Sequence, residues 1–283
     1  MSDAIDLVIS VCATTHAAVW ARGAPNILRH IEAGAYTVVV PDDDLPLFRS
    51  LTPPGIEVVP ESHHVGAIAP LLRAAIPAGS GGRFGWYLQQ FIKLGAVIQA
   101  PCETVLIWDA DAIPLRPLRF LDAAGRLLYY TSHERHDPYF DAIERLLGLA
   151  PSHSASFVAQ CFPVRTRLAR SFAAEVERRS GRPWFEAIIG AIDFSLKSGF
   201  SEYETLGTYL AHAHPGGMAF HTGEWLRRGS AAAGGIARFD AATEAWLARR
   251  FDHASFEIWD RPYATAGHWR RLGARLRPSR WMR

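Results

Sequence analysis

Two aspartates one residue apart, Asp109 and Asp111, are the side chains whose type and spacing point most directly to chemistry. They follow the apolar residues 105–108, and Pro114 comes three positions after the second aspartate. Two carboxylates this close repel each other unless a cation or a proton lies between them. A divalent metal that also holds substrate phosphates would explain both side chains. The alternative is a strand-end turn whose aspartates accept hydrogen bonds from backbone amides.

The element that must position these aspartates is the apolar segment before them. Residues 104–108 are short, rich in β-branched side chains and not alternating, which is typical of a buried parallel strand covered on both faces. Ligands bind at the carboxyl ends of strands in open α/β sheets. Residues 6–12, 36–40 and 56–59 are predicted as further strands, and residues 26–33 as a helix capped by Asn26. This order predicts an α/β fold with a mostly parallel central sheet flanked by helices.

A predicted helix, residues 86–99, precedes the aspartate strand directly. Its apolar side chains form one face, and Trp86, Gln90 and Lys93 lie together on the opposite face. That face is either solvated surface or part of a ligand-binding site next to the two aspartates. In the second interpretation Gln90 and Lys93 meet a phosphate or a sugar, and the lysine offsets the charge of the ligand.

The segment from Ser201 to Glu204 combines a helix start with two acidic side chains. Ser201 and Glu204 fit a capping box. On a helix Glu202 and Glu204 point about 200° apart, so both cannot serve one site. The cap accounts for Glu204, which leaves Glu202 as the better catalytic candidate. His212, His214 and His221 follow this helix; each is either a polar or packed histidine or a third metal ligand, and His221 is our candidate for the ligand.

Composition narrows the classes of protein that fit. The chain has 283 residues, of which 49% are hydrophobic. Its net charge of +2 is too small to indicate nucleic-acid binding by the chain as a whole. Three scattered cysteines indicate a reducing compartment, and neither a signal peptide nor a membrane-spanning run is recognisable. We therefore predict a cytoplasmic protein. Residues 1–228 are expected to form the catalytic domain. Residues 229–283 are expected to form a connector at 229–235 followed by a helical, arginine-rich extension that packs on the domain or trails from it.

Six arginines and no acidic residue occupy the end of the chain, residues 269–283. A solvated basic tail is one interpretation of this composition. The other is peripheral contact with the anionic inner face of a membrane, where arginines meet lipid headgroups and neighbouring tryptophans lie at the interface.

The order of these motifs resembles the nucleotide-sugar glycosyltransferases of the GT-A fold, which carry an Asp-X-Asp motif. More specifically, residues 85–94, 108–111 and 201–204 resemble a family of uncharacterised bacterial glycosyltransferase-like proteins, and the resemblance covers about residues 5–228. It implies transfer of a sugar from a UDP- or GDP-sugar donor to a glycan, lipid or small-molecule acceptor.

The resemblance also implies roles for individual residues. Asp109 and Asp111 would hold Mn²⁺ or Mg²⁺ on the donor diphosphate, Glu202 or Glu204 would act as base or position the acceptor, and His221 would complete the metal site. The donor would further contact a set of residues near the first strand and on the helix before the aspartates: Thr14, Thr15, His16, Trp86, Gln90 and Lys93.

Two alternatives come from other classes. A haloacid-dehalogenase-type phosphatase would use Asp109 as its nucleophile, but Ala112 and Ile113 match its motif poorly, and about 100 residues precede the strand. A non-catalytic protein that binds sugar nucleotides or carbohydrates would use some of the nine tryptophans for stacking.

Overall fold

The computed structural model describes residues 5–78, 83–151 and 154–261. These residues form ten strands: β1 (Ile5–Val11), β2 (Ala33–Val40), β3 (Glu57–Pro60), β4 (Thr104–Trp108), β5 (Ala112–Pro114), β6 (Leu127–Tyr129), β7 (Cys161–Arg165), β8 (Met218–Phe220), β9 (Glu224–Leu226) and β10 (Phe251–Ser255). They also form eleven α-helices: α1 (Ala17–His30), α2 (Leu45–Leu51), α3 (Ser62–Val65), α4 (Ile68–Ala75), α5 (Phe84–Gln99), α6 (Asp137–Leu147), α7 (Thr166–Ser180), α8 (Trp184–Ala191), α9 (Glu202–Ala213), α10 (Gly229–Ala233) and α11 (Ala241–Ala248).

The central sheet has the strand order β3-β2-β1-β4-β7. The first four of these strands are parallel to their neighbours, and only β7 runs antiparallel to β4. Leu7 of β1 lies opposite Val105 of β4, so both strands end at the same edge of the sheet. The predicted α/β fold with a mostly parallel sheet flanked by helices is confirmed.

The side chains of β4 explain why its sequence does not alternate in polarity. Val105 and Ile107 join the hydrophobic cluster formed with α5, α7 and α9 on one face of the sheet. Leu106 and Trp108 join the cluster formed with α1 and α2 on the other face. All four side chains are fully buried, as expected for a strand covered on both faces.

Two predicted boundaries differ from the structure. The first helix begins at Ala17 rather than at residue 26, and Asn26 is buried inside it. Its side-chain amide donates to the carbonyl of Pro114 at 3.0 Å, so a buried partner distant in sequence replaces the expected cap. The mostly apolar residues 154–164 also predict a strand, but the strand β7 begins only at Cys161. Gln160, directly before β7, has a φ of 65°, which no extended strand allows.

A second, three-stranded sheet has the order β5-β10-β9 and adjoins the aspartate segment. Strand β10 pairs antiparallel with β5, with Ser255 opposite Ala112, and all five of its residues are buried. The extension that begins at residue 229 therefore contributes a strand next to the aspartates. The domain boundary at residue 228 itself stays a prediction.

Residues 229–235, expected as a connector, instead contain the short helix α10. Alanine has the highest helix propensity, and Ala231 and Ala233 are buried, which accounts for the helix. The arginine-rich end lies outside the described residues. Within the described part of the chain, no helix has both the length and the apolar character needed to cross a bilayer.

Candidate functional site

The two aspartates form a tight turn at the carboxyl end of β4. The backbone N–H of Asp109 donates to the carbonyl of Gln160 at 2.9 Å, and the carbonyl of Asp109 accepts from the N–H of Ala112 at 2.9 Å. The left-handed backbone of Gln160 thus fixes the start of the turn. Sheet pairing with β7 and the following strand β5 together determine where the two carboxylates lie.

Helices α5 and α9 bring a buried ion-pair network to Asp109. Lys93 of α5 donates from Nζ to Oδ1 of Asp109 at 2.5 Å and to Oε1 of Glu202 at 2.8 Å. The hydroxyl of Tyr203 donates to the same Asp109 oxygen at 2.6 Å. Gln90 accepts the N–H of Glu202 at 3.1 Å through its side-chain oxygen, which ties the start of α9 to α5.

The charge on Lys93 is maintained by these acidic partners. Burial alone lowers the pKa of an ammonium group, but the carboxylates of Asp109 and Glu202 outweigh that effect and raise the pKa of Lys93 above its ordinary value. Burial raises the pKa of Glu202, and Lys93 opposes the change. Lys93 is 3% exposed, so its ammonium group belongs to the interior of the protein and not to a solvated helix face.

Asp111 is the least satisfied carboxylate of the site. Its Oδ1 is buried and has no hydrogen-bond partner among the described residues. Burial, followed by the neighbouring Asp109, raises the pKa of Asp111 to about 7. The half-buried His16 lies with Nε2 at 3.7 Å from Oδ2 of Asp111. Burial lowers the pKa of His16, so the imidazole is neutral at pH 7.

The remaining residues expected to bind the donor lie at the border of this site. Thr14 and Thr15 are exposed in the turn that follows β1, and Thr14 donates its hydroxyl hydrogen to Asp44. Trp86, one turn before Gln90, is half-buried under the guanidinium of Arg83, which lies 4.1 Å from the ring centroid.

Glu204 lies on the far side of α9 from the aspartates. Its carboxylate accepts hydrogen bonds from the hydroxyl of Ser156 and from the N–H of Phe157, the latter at 3.2 Å. The hydroxyl of Ser201 accepts the N–H of Glu204 at 3.3 Å, as a helix cap does. As the helical repeat predicts, Glu202 faces the ion-pair network of Lys93 and Asp109, and Glu204 does not.

His221 is held away from the two aspartates. Its Nε2 lies 2.6 Å from the carbonyl of Arg119, and its ring stacks on Tyr130 with centroids 3.9 Å apart. Among the described residues, no three His, Cys, Asp or Glu side chains lie close enough together to hold a metal ion. The structure thus does not bring His221 together with Asp109 and Asp111, because a backbone carbonyl and an aromatic ring already fix its imidazole.

Two further charged residues enter the site from the C-terminal segment. Oε1 of Glu257 lies 3.4 Å from Nε2 of Gln160 and 3.3 Å from Nη2 of Arg227. Burial raises the pKa of Glu257 to about 7; Arg227 opposes this shift, while Asp111 and Asp109 add to it. Sequence patterns could not identify either residue, because pairing between β5 and β10 brings this segment to the aspartates.

The side chains of this site suit the binding of a divalent cation. Among the described residues of the site there are four carboxylates and two cationic side chains, which leaves a net charge of two negative charges when all are ionised. The carboxylates are Asp109, Asp111, Glu202 and Glu257, and the cations are Lys93 and Arg227. Asp111 also has a buried oxygen without a partner. Magnesium-type sites commonly use one or two protein carboxylates together with substrate phosphates and water, so a third protein ligand is not required.

Comparisons with known proteins identify a family and a fold for this chain. The model of a family of unknown function (DUF6492) matches residues 26–253. No curated protein sequence matches the chain. The apo structure of mouse xyloside xylosyltransferase 1 is 12% identical and has a TM-score of 0.50, with coverage of 91% of this chain and 99% of that chain. The galactosyltransferase LgtC, solved with donor and acceptor sugar analogues, is also 12% identical, with a TM-score of 0.48 and coverage of 97% and 98%. The first likeness shows a shared GT-A-type fold.

Proposed function

The chain belongs to the family of unknown function DUF6492, and we propose that it is a metal-dependent glycosyltransferase. It would move a sugar from a nucleoside-diphosphate donor, a UDP- or GDP-sugar, to a glycan, lipid or small-molecule acceptor. One observation carries the proposal: Asp111 presents a buried, unpartnered carboxylate oxygen next to Asp109, at the ligand-binding edge of a GT-A-type sheet. The same fold supports the transferase over a phosphatase with Asp109 as nucleophile.

Asp111 and the second carboxylate oxygen of Asp109 would hold Mn²⁺ or Mg²⁺. Such an ion neutralises the diphosphate of the donor and so makes it a better leaving group. Lys93 and Tyr203 both bind Oδ1 of Asp109, which leaves Oδ2 for the ion and fixes the direction in which it points.

Glu202 is our candidate for the acid–base residue, since it is the glutamate of α9 that faces the aspartates. Its carboxylate is 2.8 Å from Nζ of Lys93, and this contact holds the side chain at the wall of the site. A carboxylate in this position can accept the proton of the acceptor hydroxyl. His16, neutral and close to Asp111, would line the donor side together with Thr14 and Thr15.

The membrane contact through the C-terminal arginines and the cytoplasmic location stay predictions. The half-buried Trp86 and the exposed turn at Thr14 and Thr15 are proposed to contact the donor because they border the site at the start of α5 and the end of β1.

Incubation of the purified protein with a panel of UDP- and GDP-sugars, with Mn²⁺ and with excess EDTA, tests the proposal. We expect release of the nucleoside diphosphate from at least one donor in Mn²⁺, and loss of that release in EDTA. Asp111→Asn should abolish release while leaving the fold intact. Release that is unaffected by both EDTA and Asp111→Asn would place the activity elsewhere, and nucleotide binding without release from any donor would instead support a non-catalytic binding protein.

A further inference from the structure

Arg227 lies next to the aspartate turn although the two are far apart in sequence. It directly follows β9, whose Leu226 is opposite Ala254 of β10. The next residue of β10, Ser255, lies opposite Ala112 in β5, one position after Asp111. The second sheet therefore brings the end of β9 to the same edge as the carboxylates.

The contacts of the guanidinium confirm this position. Nη2 of Arg227 lies 3.3 Å from Oε1 of Glu257, and Nε lies 2.7 Å from Oε1 of Glu134. The residue before Glu257, Phe256, donates its N–H to the carbonyl of Asp111 at 2.7 Å. Arg227 is thus held between a loop on one side of the site and the segment bonded to Asp111 on the other.

Two nitrogens of this guanidinium make no hydrogen bond. Nη1 and Nε of Arg227 are buried and have no hydrogen-bond partner among the described residues, although Nε lies in ion-pair distance of Glu134. A buried charged hydrogen-bond donor without an acceptor is unfavourable, and an anionic ligand would supply the missing acceptor. The planar guanidinium presents paired N–H groups that match the oxygens of a phosphate.

We propose that Arg227 binds the diphosphate of the nucleotide-sugar donor and stabilises the nucleoside diphosphate as it leaves. This inference rests on the glycosyl transfer proposed above. In that reaction the bond between the anomeric carbon and the phosphate oxygen breaks, and its electron pair stays on that oxygen. A bond to the acceptor oxygen forms, and the acceptor proton goes to Glu202. The departing diphosphate gains one negative charge, and Arg227 neutralises it.

A purely structural role would be different. In that case Arg227 only joins Glu134 to Glu257, and removal of Glu134 would disturb the site as much as removal of the arginine. The two roles can be separated by ligands with and without phosphate, since a diphosphate contact affects UDP and GDP but not uridine or guanosine.

The experiment is calorimetric titration of the full-length protein in Mn²⁺ with UDP, GDP, uridine and guanosine. We expect Arg227→Gln to weaken binding of the preferred diphosphate by about 10- to 100-fold and to leave nucleoside binding unchanged. Arg227→Lys, which keeps the charge, should lose less. Arg228→Gln is the matched neighbouring control, and Glu134→Gln tests the structural role; both should bind as the wild type does. Melting temperatures confirm that each variant is folded.

Equal diphosphate affinity in the wild type, Arg227→Gln and Arg227→Lys would overturn this inference and leave the proposed function standing. An equal loss in Glu134→Gln would also overturn it, in favour of the structural role. Failure of the wild type to bind either diphosphate would overturn the proposed function itself, and the inference with it.

Discussion

The hydroxyl of Tyr203 donates a hydrogen bond to Oδ1 of Asp109 at 2.6 Å, from one helical position beyond Glu202. The tyrosine and Lys93 together occupy one oxygen of the aspartate, and the other is left to face the site. The rotamer of Asp109 is therefore fixed by two donors from two different helices.

Tyr203→Phe removes one of the two donors without changing the volume of the core. We expect a loss of about 1 kcal/mol in the free energy of unfolding and about a tenfold weaker affinity for UDP in Mn²⁺, because Asp109 is then held by Lys93 alone. Denaturation and calorimetry measure the two effects. Tyr87→Phe is the matched control, since the buried Tyr87 hydroxyl accepts the N–H of Gly199 at 3.0 Å. It should lower stability only, and an equal affinity loss in both variants would contradict the role of Tyr203.

Glu202→Gln and Glu204→Gln should separate catalysis from stability. Glu202 contacts Lys93 in the site, whereas Glu204 binds Ser156 and the N–H of Phe157 on the other side of α9. We expect Glu202→Gln to lower donor turnover by about 100-fold or more. Glu204→Gln should cost about 1–3 kcal/mol of stability and little turnover at a matched folded fraction. The opposite pattern of turnover would refute the assignment of Glu202.

Lys93→Met should be strongly destabilising because it leaves the buried Glu202 and the half-buried Asp109 without their cation. Removal of one partner from a buried pair costs about 3–5 kcal/mol, which chemical denaturation can measure. Adding Glu202→Gln to Lys93→Met removes one of the stranded charges and should restore part of the loss. A double variant no more stable than Lys93→Met would show that the charge of Glu202 is not what destabilises it.

Stability should depend on pH through His253. Its imidazole is fully buried, and Nε2 lies 3.0 Å from the carbonyl of Ala159. Burial lowers the pKa of His253 from 6.5 to about 4, against the opposing effects of the hydrogen bond to Ala159 and of Asp252 and Asp109; His221 adds to the lowering. The unfolded chain therefore binds more protons between these values, so this contribution is complete above pH 6.5 and is lost as the pH falls to 4.

The lowered pKa corresponds to about 3 kcal/mol, at 1.36 kcal/mol per pKa unit. His253→Gln keeps a donor for Ala159 but does not titrate, so we expect the difference in unfolding free energy between wild type and variant to shrink by this amount from pH 7 to pH 4. Equilibrium denaturation at several pH values measures it. A constant difference over this range would show that His253 is not the titrating group.

The sequence by itself determined the central strand, its burial on both faces and its edge of the sheet. These properties are local: the composition of residues 104–108 requires cover on both sides, and parallel strands share a carboxyl edge. The orientation of Glu202 against Glu204 was also determined, because the helical repeat places residues two apart on different sides.

Only the tertiary structure decided which other side chains reach the aspartates. The polar face of α5 is compatible with solvent or with a site, and the packing of α9 against α5 places Lys93 in the interior. The separation of His221 from the aspartates, and the arrival of Arg227 and Glu257, depend on the pairing of β10 with β5 across more than a hundred residues. Pairing between distant segments is a collective result of packing and backbone hydrogen bonding, and no local periodicity in the chain encodes it.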